Sequence, residues 1–163
     1  MLDPKRRADF GGWAIVEGAE QLRRAWPRDT QRAIARPALL EPEPAWLDAC
    51  CRHAYYVGAT AVGVDELAGI ATASRPVRWL DVLLTRGRES GITTYVCSQR
   101  PQRIPSTVLS EAEHVFVFAL NLAADRDRVA EVIGPYPEPS RRHGFVYWRP
   151  GLTAGVETLP IDS

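Results

Sequence analysis

Lysine is almost missing from this chain: Lys5 is the only one among 163 residues, and every other strong base is arginine. The codon bias of a GC-rich genome accounts for that preference, although arginine is also the better residue for bidentate phosphate contacts. The shortage has a chemical consequence. A phosphate-cradling GxxxxGK[ST] loop needs glycines for backbone access and a lysine for the outer phosphates. Lys5 has no glycine before it and Arg6 after it, and Gly11-Gly12 leads to Trp13, so residues 1–163 contain no such loop. Cysteine is also scarce. Cys50, Cys51 and Cys97 are too few and too irregular for a disulfide framework. Adjacent Cys50-Cys51 followed by His53 lacks the spacing on which metal ligands converge, so helix packing is the expected role. Nowhere do about 18 apolar residues run together, and MLDPKRRADF has no apolar leader core. The expectation is a cytoplasmic, reducing setting with no membrane segment in this chain. A net charge of zero neither favours nor disfavours nucleic acid.

Turn punctuation divides what is present into a readable series. Residues 13–26 mix apolar and charged positions at helical spacing before Pro27, which predicts a helix. A short extended piece over 32–39 follows. Pro42 and Pro44 then open a helix over 44–57 with Trp46, Leu47, Cys50 and His53 or Ala54 on one side. TAVGVDE (60–66) reads as a strand buried on both faces and ended by acids. A helix over 77–89 turns Leu80, Leu83 and Leu84 inward. ITTYVCS (92–98), HVFVFAL (114–120) and GFVYWRP (144–150) read as further strands, with a helix over 125–134 ending at Gly134-Pro135. The tail LTAGVETLPI adds an edge strand or hairpin. The alternation argues a single α/β domain over 1–163 with a mostly parallel sheet, 136–163 forming a carboxyl-terminal edge strand and tail. Ligands of such sheets bind at the carboxyl ends of the strands.

Several polar residues fall at those ends. Asp65-Glu66 leave a buried strand, where two acids are costly unless something positive meets them. They suit a Walker B pair, Asp65 holding Mg2+ through water and Glu66 polarising an attacking water. They equally suit the acidic start of a helix. Gln99, just past the next strand, has an amide that both donates and accepts, as a phosphate sensor must; it also suits the cap of a turn before Pro101. Arg86 and Arg88 end the preceding helix, where the dipole favours cations in any protein and where an arginine finger could also stand. Arg100 and Arg103 suit phosphate contact or a solvated loop.

Taken in order, Asp65-Glu66 after a strand, Arg88-Glu89-Ser90-Gly91-Ile92, then Ser98-Gln99-Arg100-Pro101 after a strand resemble the FtsK/HerA superfamily of P-loop ATPases. These hexameric DNA pumps include chromosome translocases, conjugation coupling proteins and viral genome-packaging ATPases. Leu2-Asp3-Pro4-Lys5 is similar to the family's DPK at the end of the strand after the P-loop helix, and the resemblance spans roughly residues 2–135. It implies a RecA-like (ASCE) sheet flanked by helices, with Asp65 and Glu66 as Walker B. It also implies Gln99 as phosphate sensor, Arg88 and secondarily Arg86 as arginine finger, and a 100–113 loop carrying Arg100 and Arg103 toward nucleic acid or a subunit interface. ATP and Mg2+ are the implied cofactors; double-stranded DNA and a homo-oligomeric ring, a hexamer, the implied partners.

The resemblance implies one thing the chain lacks. The family's P-loop strand lies between the sensor strand and the strand at 114–120, and without it both are left with unpaired backbone groups. The expectation is therefore the carboxyl-terminal part of a longer ATPase, inactive alone. The competing expectation is a non-catalytic module that keeps the fold and binds a partner ATPase or DNA. A metal-dependent nuclease built on Asp65 and Glu66 would need a further spaced carboxylate and lysine.

Overall fold

A computed structural model describes residues 1–6, 8–28, 31–139 and 144–151, and the backbone of 157–159. The chain divides into two compact units, Met1–Ser98 and Gln99–Ser163.

The first unit is built on parallel strands. β1 (Ala14–Glu17) pairs with β2 (Ala33–Arg36), and β3 (Ala61–Val64) pairs with β4 (Thr93–Val96), both parallel. Leu2 joins the two pairs by bridging Ala35 on one side and Val64 on the other. The amide of Leu2 donates to the Gly63 carbonyl at 2.6 Å and that of Asp3 to the Ala35 carbonyl at 2.8 Å. In return Ala35 donates to the Met1 carbonyl at 2.8 Å and Asp65 to the Leu2 carbonyl at 3.1 Å. The lateral order is thus β1, β2, residues 1–3, β3, β4. Ile34 and Ala35 of β2 are buried completely, as a strand paired on both edges requires.

Helices connect these strands. α1 (Gly18–Ala25), α2 (Glu43–Val57) and α3 (Arg78–Arg86) each return the chain to start the next strand. α2 opens with Pro44 in its first turn and buries Trp46, Leu47, Cys50, Cys51 and Ala54. α3 buries Leu80 and Leu83, and Leu84 is half-buried. Each fully buried Leu or Trp stabilises the unit by roughly 1.5–3 kcal/mol relative to exposure. Gly91, at φ 69°, turns the chain from the 3-10 turn Gly87–Ser90 into β4, and a Cβ there would lie 3.4 Å from the Ala59 Cα.

The single helix expected over 13–26 is instead β1 followed by α1. Ala14-Ile15-Val16 pair with Ala33-Ile34-Ala35, and β-branched residues favour that ladder. Gly18, at φ 80°, then breaks the strand, and a Cβ on it would stand 3.3 Å from both the Ala38 Cβ and the Glu41 Oε2. Helical spacing of apolar residues therefore extends beyond the helix itself.

In the second unit β5 (Val115–Phe118) pairs antiparallel with β6 (Phe145–Trp148), which pairs antiparallel with β7 (Glu157–Leu159). α4 (Ser106–Ser110) and α5 (Ala123–Ile133) complete it. Val117 and Val146 pack with Val129 and Ile133 of α5 on one face of the strands. The alternate residues Phe116, Phe118, Phe145 and Tyr147 contact one another on the other face, and His114 stacks on Tyr147. The tail strand expected after residue 150 is present as β7; residues 152–156 and 160–163 lie outside the described set.

Candidate functional site

At the carboxyl end of β3 the chain turns sharply. Glu66 is nearly buried, and its backbone is left-handed, with φ 49° and ψ 63°. That region costs a non-glycine residue about 1 kcal/mol or more, so the surroundings must impose it. They do so twice. The Leu67 amide donates to the Cys97 carbonyl at 2.9 Å, tying the turn to the end of β4. Lys5 Nζ donates to Glu66 Oε2 at 3.1 Å. Asp65 is half-buried beside it.

Lys5 is itself aimed by Asp3. Asp3 is fully buried, and its Oδ2 accepts from the Ala8 amide at 2.9 Å and from Arg36 Nε at 3.2 Å. Arg36 Nη2 also donates to the Ala8 carbonyl at 2.7 Å. The Asp3-Pro4-Lys5 corner is thereby fixed on two sides, and the chain's one lysine faces the Glu66 carboxylate. The sequence marked this tripeptide but assigned its lysine no task. Nearby, the Cys97 thiol is held above its ordinary pKa by partial desolvation and then by the Asp65 and Glu66 charges. Cys50 and Cys51 are also pushed up, chiefly by burial, as packing cysteines are.

Arg86 and Arg88 are exposed and lie elsewhere in the same unit. Arg86 ends α3 and Arg88 lies in the 3-10 turn before Gly91, toward the amino end of β4, whereas Asp65, Glu66, Lys5 and Cys97 gather at the carboxyl end of the sheet. The structure brings the second group together and keeps the two arginines apart from it.

Gln99 opens the second unit and is exposed. The segment after it is no open loop. It forms a 3-10 turn, Pro101–Arg103, and α4, with Pro101, Ile104, Val108 and Leu109 buried. Arg100 Nε donates to Asp125 Oδ2 at 2.9 Å, and the Gln102 amide donates to Asp125 Oδ1 at 3.0 Å. Asp125, only 2% exposed, thus holds the Arg100–Gln102 turn with both carboxylate oxygens. Arg103 remains exposed. Sequence reasoning missed Asp125, which reads like any acid in the first turn of a helix.

Among the described residues no group of three or more His, Cys, Asp or Glu is arranged to hold a metal ion. Among the described residues no helix is long and apolar enough to cross a membrane.

These features belong to an α/β fold of short parallel strands flanked by helices, which matches an NTPase fold. Among the solved structures it matches are those of the genome-packaging NTPase B204 from Sulfolobus turreted icosahedral virus 2. The sulfate complex matches over 98% of this chain and 80% of that chain, with TM-score 0.75 and 12% identity. The AMP complex matches over 98% and 81%, with TM-score 0.70 and 14% identity. The ATP-gammaS complex matches over 81% and 68%, with TM-score 0.63 and 15% identity. No protein-family model and no curated protein matches the sequence.

Proposed function

We propose that residues 1–163 are most of the motor domain of an FtsK/HerA-type ATPase that moves or packages double-stranded DNA as a homo-oligomeric ring, most simply a hexamer. The observation that carries this reading is the fold match to a genome-packaging NTPase over 98% of the chain. The site agrees with it. In this reading Glu66 polarises a water attacking the terminal phosphate of ATP, and its contact with Lys5 orients the carboxylate. Asp65 is the contact for Mg2+ through water; the cation supplies charge neutralisation on the phosphate oxygens. Gln99 is the phosphate sensor. Arg88, with Arg86 second, is the finger that neutralises charge in a neighbouring copy's site. Arg100 serves the Asp125 clamp, which leaves Arg103 as the arginine of that segment available to DNA or a neighbour.

The phosphate-cradling loop has to come from outside residues 1–163, and β4 suits its arrival. Among the described residues β4 is paired on one side only, with β3, yet parallel strands are ordinarily covered on both sides. Tyr95 is 62% exposed, and the Thr94 hydroxyl is buried with no hydrogen-bond partner. A further parallel strand beside β4, leading into GxxxxGK[ST], would pair that edge.

The test compares ATP turnover by residues 1–163 with that of a form extended upstream through any in-frame GxxxxGK[ST]. Turnover only in the extended form is expected. There Glu66→Gln should bind ATP with near-normal affinity while kcat falls at least a hundredfold, in keeping with loss of a positioned base. Turnover by the short form would refute the external loop. Inactivity of both, from folded protein, would make the chain a non-catalytic module that binds a partner ATPase or DNA.

A further inference from the structure

Where α2 meets α3, the surface of the first unit carries aromatic rings that the core does not use. Tyr55 and Tyr56 come from the last turn of α2 and Trp79 from the first turn of α3. The Tyr55 and Tyr56 ring centroids are 6.0 Å apart, and that of Trp79 is 5.6 Å from each. The three rings form one cluster, yet Tyr56 is 69% exposed and Tyr55 and Trp79 are only half-buried. Arg52 lies one turn before Tyr56 on the same helix. Its guanidinium carbon stands 5.9 Å from the Tyr56 ring centre and 5.8 Å from that of Trp79, a cation resting on two ring faces at once.

An arginine four residues after an acid on a helix is well placed to pair with it, and Asp48 stands four residues before Arg52. The two do not pair. Asp48 Oδ1 accepts instead from the Trp79 amide at 2.8 Å, which fixes the start of α3 against α2. The acid that could have neutralised Arg52 is spent on holding Trp79 in place. Among the described residues Arg52 makes no ion pair, so its exposed guanidinium is held flat on the rings with its N–H fork turned to no acid. Arg75 and Arg78, just before Trp79 in the chain, are also exposed and also lack an ion pair among the described residues. Tryptophan, tyrosine and arginine together are the composition of an interface centre, where they carry most of the binding free energy. A stacked guanidinium keeps its planar fork for a carboxylate and has little freedom left to lose.

We infer that this α2–α3 face is a docking site for a segment of another protein that presents a carboxylate beside an aromatic or aliphatic side chain. The carboxylate takes the Arg52 fork in a bidentate pair, and the apolar side chain lies on Tyr56 and Trp79. A DNA backbone fits less well. Its phosphates call for several cations along a track, whereas here one oriented guanidinium sits among large rings, with acids, Asp48 and Asp81, on the same two helices. The inference does not depend on the nucleotide reading above.

Titration of isotope-labelled residues 1–163 with a synthetic peptide alternating aspartate with phenylalanine and leucine, followed by heteronuclear NMR, tests this. The Trp79 indole N–H, the Arg52 Nε–H and the Tyr56 amide should shift together, with Kd below about 1 mM. Arg52→Gln should weaken binding about tenfold, and so should a peptide with asparagine in place of aspartate. Tyr56→Ala should weaken it by about fivefold or more while leaving the charge in place. Both positions are exposed, so neither variant should lose the fold. No shift at millimolar peptide, equal binding of the asparagine peptide, or binding that Arg52→Gln leaves unchanged would overturn the inference. So would a DNA duplex that moves these resonances when the peptide does not, which would assign the face to nucleic acid. Shifts of the same resonances on concentrating the protein alone would assign it to a second copy and overturn the inference equally.

Discussion

Asp125 allows the sharpest quantitative prediction. Its carboxylate holds two donors, Arg100 Nε at 2.9 Å and the Gln102 amide at 3.0 Å, and is itself almost wholly buried. Hydrogen bonds to a charged group contribute about 1.5–3 kcal/mol each, and an orphaned amide costs roughly 1–3 kcal/mol. The Arg100 side chain is 34% exposed, so once released it regains water, and its share must be discounted. Asp125→Ala should therefore destabilise the second unit by about 3 kcal/mol. Asp125→Asn keeps an oxygen for the Gln102 amide and should cost about half as much. Urea denaturation followed by far-UV circular dichroism gives the free energies. Native-state hydrogen exchange localises them: a 3 kcal/mol loss corresponds to roughly a hundredfold faster exchange where global opening governs it. The Gln102 and Arg103 amides should lose protection in Asp125→Ala, while Ile34 and Ala35 in the first unit keep theirs. A cost below about 0.5 kcal/mol, with Gln102 exchange unchanged, would show that the clamp does not hold the turn.

Cys97 should report the electrostatics of the carboxyl-end site. Its pKa is raised, so its thiolate is scarcer than that of a free cysteine at pH 8, and alkylation should be slower there and accelerate as pH rises beyond the ordinary thiol range. Glu66→Gln removes one of the raising charges and should speed alkylation at fixed pH; an unchanged rate would place that carboxylate too far away to matter. If the extended form turns over ATP as proposed, mixing its Arg88→Ala and Glu66→Gln variants should restore part of the lost turnover. No restoration at any ratio, with assembly confirmed, would remove Arg88 from a role in trans.

The parts of the fold that read correctly from sequence are those where burial and local preference agree. Val62 and Val64 are buried and pair with β4, and the α2 residues Trp46, Leu47 and Cys50 fall inside as their spacing predicts. β1 was obscured because Ala14–Val16 continue the apolar spacing of α1, and only the break at Gly18 separates them. The candidate acids fell at a strand end because the buried apolar run of β3 stops at Val64. What made a site of them was not legible. Glu66 gains its orientation from Lys5, 61 residues earlier, and Asp125 acts on a turn 25 residues upstream. Contacts at that separation are set by how elements pack, and periodicity carries no record of them.

The two ends of the first unit's sheet differ chemically. Strands that all run one way place every carboxyl end on one side, and there Asp65, Glu66 and the Asp3-Pro4-Lys5 corner meet. Each connecting helix returns to the other side, so Arg86 and Arg88 arrive beside the start of β4. A four-residue strand spans about 13 Å, and an arginine folding back along it would have to pass the Thr93–Val96 ladder to reach Glu66. Within one copy the Glu66 carboxylate and these guanidinium groups therefore belong to opposite ends of the sheet. Parallel topology alone thus makes the first unit chemically polar, acids at one end of its sheet and arginines at the other.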